Sequence, residues 1–446
     1  MNLVPAFVRR RLAHRPNLVK ILDNIGWLFL DKVLRMGVGL LVGVWIARYL
    51  GPEQFGLLNF ALAFTGLFAA ISGMGLQGIV VRDIVRDPQG APLTLGTAAV
   101  LMLIGGFVSY LLILATIAYL RPDDPLARSI VAILGAIQLF KASEIAVYWF
   151  ESQVQSKYTV WVQNGVFLIF AAVKVGLILS QASLTAFVWA TLAEAAVVAV
   201  ILLVILSWRG LNFQALQANI SRAKSLLKDT WPLMLSGVAI SIYMKIDQIM
   251  LGQMVGEEAV GIYSAAVRIS EVWYFIPMAV VASVFPSIIE AKKRGEDEYY
   301  ARLQKLFDLM VLMSLAVALP MTFFSNTVVG LLYGNAYKEA GSVLMVHIWA
   351  AVFVFLGVAG SRWIVAEGYA VIDLQRTILG AVINVALNFW LIPLFEAIGA
   401  AIATIISYAV ADFLADYARK NTRRLFYMKL RSFDPTKMFR SFGWLN

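Results

Sequence analysis

Beyond the first turn of the long apolar runs of the sequence lie eight basic side chains: Lys32, Arg35, Arg48, Lys141, Lys174, Lys245, Arg268 and Arg362. Guanidinium forks and ammonium groups donate charge-assisted hydrogen bonds to phosphate oxygens, so an interior lined by them suits an anionic head group such as a diphosphate. A cation exporter should show the opposite bias. An Arg or Lys at the centre of a bilayer costs roughly 2.5 to 3.5 kcal/mol on insertion scales, so charges so placed should face protein or a water-filled cavity.

The eight are not equivalent. At about 100° per residue Asp31, Lys32 and Arg35 fall within one arc of a helix, and Gly39 and Gly43 continue it. The two cations there outnumber the one acid. Arg48 and Arg362 lie near the ends of their runs, where snorkelling to the interface accounts for them. Lys141 and Glu144, and likewise Arg268 and Glu271, are spaced to pair within one helix. Gln138, Lys141, Glu144 and Tyr148 form one polar stripe, and Ser264, Arg268 and Glu271 another; each stripe is either structural or lines a cavity. Gln163, Phe167, Phe170 and Lys174 share a face whose lysine has no acid in its own run, and Glu194 in the next run is its expected partner.

Lys245 and Asp247 point about 200° apart, so each needs a different partner and their helix should be surrounded by protein. Two readings of Asp247 stand. It either binds and releases a proton or Na⁺ as a coupling ion, or it balances a cation of the first half of the chain. His347 is read as structural, and Asn384 and Asn388, one turn apart, as interhelical hydrogen-bond partners.

The elements that must position these residues are membrane helices. The chain of 446 residues is 61% hydrophobic and 14% charged, with a mean hydropathy of +0.78, against about a quarter charged residues in a soluble domain. Runs of 18 or more apolar residues are long enough to cross a hydrocarbon core of about 30 Å. Twelve spans are predicted: 24–50, 56–80, 94–120, 126–150, 158–180, 184–208, 231–255, 261–289, 303–325, 341–367, 374–394 and 397–418. The first, preceded by Arg9-Arg10-Arg11, is too long for a signal-peptide core and is read as uncleaved. Lys and Arg concentrate in the termini and in alternate loops, which puts both ends of the chain in the cytoplasm. The net charge of +10 follows from that topology and from anionic lipid head groups, without nucleic acid.

The predicted organisation is a basic segment 1–23, a six-helix bundle 24–208, a cytoplasmic linker 209–230, a second bundle 231–418 and a basic tail 419–446. The tail is read either as an amphipathic surface helix or as a disordered arm. Gly51-Pro52-Glu53-Gln54-Phe55-Gly56 in the first half and Gly256-Glu257-Glu258-Ala259-Val260-Gly261 in the second are 205 residues apart and occupy equivalent joints. That correspondence predicts a parallel repeat with the substrate path between the halves. Cysteine is absent, there are two histidines, His14 and His347, and no phosphate-binding loop occurs. No metal centre, thiol chemistry or bound ATP is therefore expected.

The stretch from Ala47 through Arg48-Tyr49-Leu50 to Gly56, the stretch from Asp247 to Tyr263, and Tyr333-Gly334-Asn335-Ala336-Tyr337 resemble the Wzx-type polysaccharide flippases, relatives of the multidrug and toxin extruders in the MOP superfamily. The resemblance implies an all-α, V-shaped, alternating-access carrier in the bacterial inner membrane. Its implied substrate is a polyprenyl-diphosphate-linked oligosaccharide, an O-antigen or exopolysaccharide repeat unit, moved to the periplasmic leaflet. Lys32 and Arg35 occupy the place where such flippases hold the diphosphate, and Lys141, Lys174, Lys245 and Arg268 the place of a cationic cavity. Asp31, Asp247, Glu194 and Glu271 are then coupling or charge-balancing groups. The expected partners are membrane lipids and a polysaccharide polymerase with its chain-length machinery; no cofactor beyond H⁺ or Na⁺ is expected. Against this stand an ion-coupled multidrug or toxin antiporter of the same fold and a membrane glycan polymerase or ligase. The latter is disfavoured by the short outer loops, so the chain is read as a carrier and not an enzyme.

Overall fold

The computed structural model describes residues 16–209, 213–434 and 436, and the described residues contain no strand. Contacts divide the chain into two units: unit 1 comprises residues 1–50 and 61–241, and unit 2 comprises residues 51–60 and 242–446. The helices in chain order are α1 (Pro16–Leu67), α2 (Ala69–Gly73), α3 (Leu76–Arg86), α4 (Ala91–Leu120), α5 (Pro125–Gly135), α6 (Ile145–Ser152), α7 (Lys157–Leu179) and α8 (Leu184–Arg209). They continue with α9 (Ile220–Met254), α10 (Glu257–Glu271), α11 (Phe275–Lys292), α12 (Glu296–Tyr333), α13 (Ala340–His347), α14 (Ala350–Ala366), α15 (Ala370–Asp412) and α16 (Lys420–Arg431).

Ten segments among the described residues are long and apolar enough to cross a membrane. Two of them are too long for one crossing. Leu34–Arg86 has 53 residues and Ala370–Asp416 has 47, which at 1.5 Å per residue is roughly 80 and 70 Å, against a core of about 30 Å. Each is broken by a non-helical residue inside one of its helices, Gly51 (φ 76°, ψ 170°) and Glu396 (φ 49°, ψ −127°) respectively. Two crossings apiece bring the total to the twelve that hydropathy predicts, with both breaks where the predicted spans end.

In unit 1 the core is made by Leu76, Val80 and Ile84 of α3, Leu95 and Met102 of α4, Ile145 of α6, and Leu202 and Leu206 of α8. Residues 136–144 form a 3₁₀ helix between α5 and α6. With three residues per turn, Gln138, Lys141 and Glu144 stack on one face. Gln138 itself is buried and committed to the fold: its Oε1 accepts from Ser72 Oγ at 2.7 Å and its Nε2 donates to Thr65 O at 3.1 Å.

In unit 2 the joint 51–60 packs on the start of α10. A Cβ on Gly56 would lie 1.7 Å from Glu257 O, and a Cβ on Gly261 would lie 2.0 Å from Pro52 O. These two contacts exchange under the 205-residue correspondence, Pro52 with Glu257 and Gly56 with Gly261. Gly51 and its counterpart Gly256 also share a positive φ, 76° and 127°, where a side chain would be strained. The sequence repeat is thus visible as a reciprocal backbone contact.

The main core of unit 2 lies around Leu303, Phe307 and Val311 of α12 and Phe355, Leu356 and Ile364 of α14, and it includes Leu425 and Met428 of α16. The basic tail is therefore a docked helix over 420–431. Of the two readings open from sequence, the disordered arm is excluded for these residues.

Candidate functional site

Each unit brings together its own set of charged side chains. In unit 1, Trp27 meets Trp161 edge-on at 5.6 Å between ring centroids, which seats α1 against α7. Two turns further along α1, Arg35 is half-buried with its Cζ 5.5 Å from the centroid of Phe167 on α7. That distance is within range of a cation–π contact. Gly39, one turn on, faces the same ring. Lys32 is exposed, and the side chain of Asp31 lies outside the described residues.

Lys174 of α7 pairs with Glu194 of α8, Nζ to Oε2 2.7 Å, with the two side chains 17% and 19% exposed. Lys141 pairs with Glu144 at 2.7 Å within the 3₁₀ helix. These two lysines are therefore neutralised inside unit 1. The helix-face argument found both partners from sequence, because the pairs are either one 3₁₀ turn apart or on consecutive helices.

In unit 2, the Asp247 carboxylate of α9 is 3% exposed and held by three neutral donors. Tyr263 Oη donates to Oδ2 at 2.8 Å, Thr404 Oγ1 to Oδ2 at 2.7 Å, and Asn388 Nδ2 to Oδ1 at 2.6 Å. Asn388 Nδ2 also reaches Asn384 Oδ1 at 3.1 Å, while Asn388 Oδ1 is buried with no donor among the described residues. The site is thus a buried carboxylate with a spare amide oxygen beside it, contributed by α9, α10 and the two arms of α15. A monovalent cation or a proton matches that donor set; a tightly bound divalent metal needs more charge. No group of three metal-ligating side chains occurs among the described residues.

Lys245 is half-buried two residues from Asp247 on α9, on the opposite side of the helix. Arg268 does not close an ion pair with Glu271; its Cζ lies 5.4 Å from the Phe55 ring centroid instead. His347 is buried, with Nδ1 3.0 Å from Ser270 Oγ and its ring edge-on to Tyr263. Sequence reasoning missed Tyr263 and Thr404 as partners of Asp247. Tyr263 closes the Asp247–Tyr263 stretch that resembles the flippases, but its counterpart under the 205-residue correspondence is Leu58, so the repeat does not mark it; Thr404, 157 residues from Asp247, carries no signal in one dimension.

The chain is 23% identical over 399 residues to a protein of Haloferax volcanii described as a probable low-salt glycan biosynthesis flippase, Agl15, covering 86% of this chain and 80% of the relative. Its fold is similar to that of a multidrug resistance MATE family transporter of the MOP superfamily in an inward-facing conformation. The TM-score is 0.73 at 18% identity, covering 91% of this chain and 99% of the other. The lipid II flippase MurJ in an inward closed conformation is also similar, with a TM-score of 0.70 at 14% identity over 92% of this chain and 90% of MurJ. The MatE family pattern matches residues 232–390. The pattern of the polysaccharide biosynthesis protein family matches residues 21–292, well over half the chain, and together with the MATE-like helical fold it establishes that this chain belongs to that family.

Proposed function

We propose that this protein is a flippase that moves a polyprenyl-diphosphate-linked oligosaccharide from the cytoplasmic to the outer leaflet by alternating access. The observation that carries the reading is Arg35: a guanidinium in an apolar membrane helix, half-buried and laid on the face of Phe167. A guanidinium stacked on an aromatic ring is held in a fixed plane, and its planar fork matches the geometry of a bidentate contact to phosphate. Lys32, one turn earlier and exposed, is the second cation for the same head group. Lys141 and Lys174 are already paired with Glu144 and Glu194, so their role here is to keep unit 1 neutral in the absence of substrate. Lys245 and Arg268 supply positive charge in unit 2, with Glu271 as the nearby acid of the same sequence stripe as Arg268.

Asp247 is assigned the coupling ion, H⁺ or Na⁺. Its neutral donors leave its charge uncompensated, which favours occupation by a cation. Both termini are assigned to the cytoplasm of a multi-pass protein of the cytoplasmic membrane, and the translocated unit is passed to a polymerase acting on the outer face. The glycan flippase among the relatives supports this reading. The match to the MatE pattern favours a second one, an ion-coupled drug antiporter.

One experiment separates them. Cells carrying Arg35→Gln or Arg35→Lys are compared with wild type for accumulated polyprenyl-diphosphate oligosaccharide and for tolerance of toxic cations. Lipid-linked oligosaccharide should accumulate strongly with Gln and partly with Lys, since Lys keeps the charge but loses the planar fork. Wild-type lipid levels in both variants would remove Arg35 from the diphosphate site. Unchanged lipid levels with raised drug sensitivity in cells lacking the protein would make it an extruder.

A further inference from the structure

The tail helix α16 has two faces, and only one of them is used by the fold. The inner face is locked. Lys429, with its side chain 0% exposed, sits 2.8 Å from Asp416 Oδ2 and also donates to Asp412 O. Asp416 in turn lies 3.2 Å from Arg376 of α15. Gln304 Nε2 donates to Met428 O at 3.0 Å and to Ser432 Oγ at 2.9 Å, and Ser432 Oγ donates to Asp308 at 2.7 Å. A buried ion pair of this kind is costly to separate, so α16 has one fixed seat on unit 2.

That seat is next to the membrane surface. The last apolar segment ends at Asp416 and α16 begins at Lys420, leaving three residues that can reach about 10 Å at most. The outer side then displays Tyr417 (50% exposed), Tyr427 (53%) and Leu430 (48%). Lys420 and Arg431, both exposed, follow the same helical face as Tyr427. Residues 417–433 carry six basic side chains and no acidic one. Aromatic rings interleaved with cations on a helix lying at a membrane boundary match the chemistry of the head-group layer, in which apolar rings sink and cations meet phosphate.

We propose that the outer face of α16, formed by Tyr417, Lys420, Tyr427, Leu430 and Arg431, is a binding surface for anionic phospholipid head groups of the cytoplasmic leaflet. This rests on the cytoplasmic placement of the tail proposed above. The face clamps unit 2 to the leaflet from which substrate is taken, while the buried Lys429 contact keeps the helix from leaving with the lipid.

The absence of cysteine makes the test direct. Full-length protein carrying Tyr427→Cys labelled with bimane is reconstituted into phosphatidylcholine vesicles with phosphatidylglycerol, one lipid or the other brominated. Brominated phosphatidylglycerol should quench at least about fivefold more effectively at equal mole fraction, the preference expected from even one of the two basic contacts, Lys420 and Arg431. Adding Lys420→Gln and Arg431→Gln should abolish the preference while leaving quenching by phosphatidylcholine in place. Equal quenching by both lipids in the unmodified background overturns the proposal. Quenching by neither also overturns it, because the face is then not in contact with lipid. A Lys420→Cys variant labelled by an impermeant maleimide from outside intact cells would refute the topology, whereas selective quenching would still stand.

Discussion

The reciprocal contact of Gly56 and Gly261 makes a quantitative demand on unit 2. An added Cβ needs about 3.4 Å to reach ordinary van der Waals contact, yet at Gly56 it would find Glu257 O at 1.7 Å and at Gly261 it would find Pro52 O at 2.0 Å. The obstruction is main chain in both cases, so no side-chain rotation relieves it; the joint 51–60 and α10 must separate by roughly 1.5 Å. Overpacking of this sort costs about 1 to 3 kcal/mol, and a backbone obstacle puts it at the upper end. At about 2 to 4 °C per kcal/mol for a unit of this size, Gly56→Ala and Gly261→Ala should each lower the melting temperature by roughly 5 to 10 °C. The two contacts lie in one crossing, so the separation forced by the first alanine already makes room for the second. The double variant should therefore fall well short of the sum, with a coupling of about 1 to 2 kcal/mol. Thermal unfolding of detergent-purified protein, followed by fluorescence-detected size exclusion, measures all four forms. Single variants that melt with the wild type, or a double variant whose loss equals the sum, would refute a shared close approach.

Two further outcomes follow from individual side chains. Asp247→Asn keeps the size of the side chain and an oxygen for Tyr263 and Thr404 but removes the charge; in vesicles, transport should no longer respond to an imposed H⁺ or Na⁺ gradient, and a wild-type response would remove Asp247 from coupling. Outside the spans, Glu367 is affected most by burial, which pushes its carboxyl up, but hydrogen bonds from Lys292 Nζ at 2.7 Å and Tyr299 Oη at 2.7 Å together outweigh it and leave the carboxyl below its ordinary value of 4.5. A carboxylate held low in the fold contributes stability that is complete above the unfolded value and is lost as pH falls through the folded one. Melting temperature should thus decline below about pH 4.5, and Glu367→Gln should be less stable at neutral pH and flatter across that acid range.

Much of the architecture was legible in one dimension because lipid imposes a local rule. Every segment in the hydrocarbon layer must satisfy its own backbone and present apolar side chains, so length and hydropathy locate the spans without knowledge of neighbours. The breaks were equally local: Gly51 takes a positive φ next to Pro52, and α15 breaks at Glu396, between the spans predicted to end at 394 and to begin at 397. The Lys141–Glu144 and Lys174–Glu194 pairs were accessible because helical spacing, or adjacency of consecutive helices, puts the partners together.

What sequence alone determined, then, is the membrane class, the positions of the crossings, the internal repeat and the presence of cations that no lipid-facing surface would tolerate. Tertiary structure decided the rest, because partner choice depends on the rotation and register of helices distant in the chain. It brought Asn388 and Thr404, 141 and 157 residues away, to the Asp247 carboxylate. It turned Arg268 onto Phe55 rather than onto Glu271. It also decided between the two readings of the basic tail, an amphipathic surface helix or a disordered arm, in favour of a docked helix, since Lys429 is tolerable in a buried seat only where Asp416 meets it.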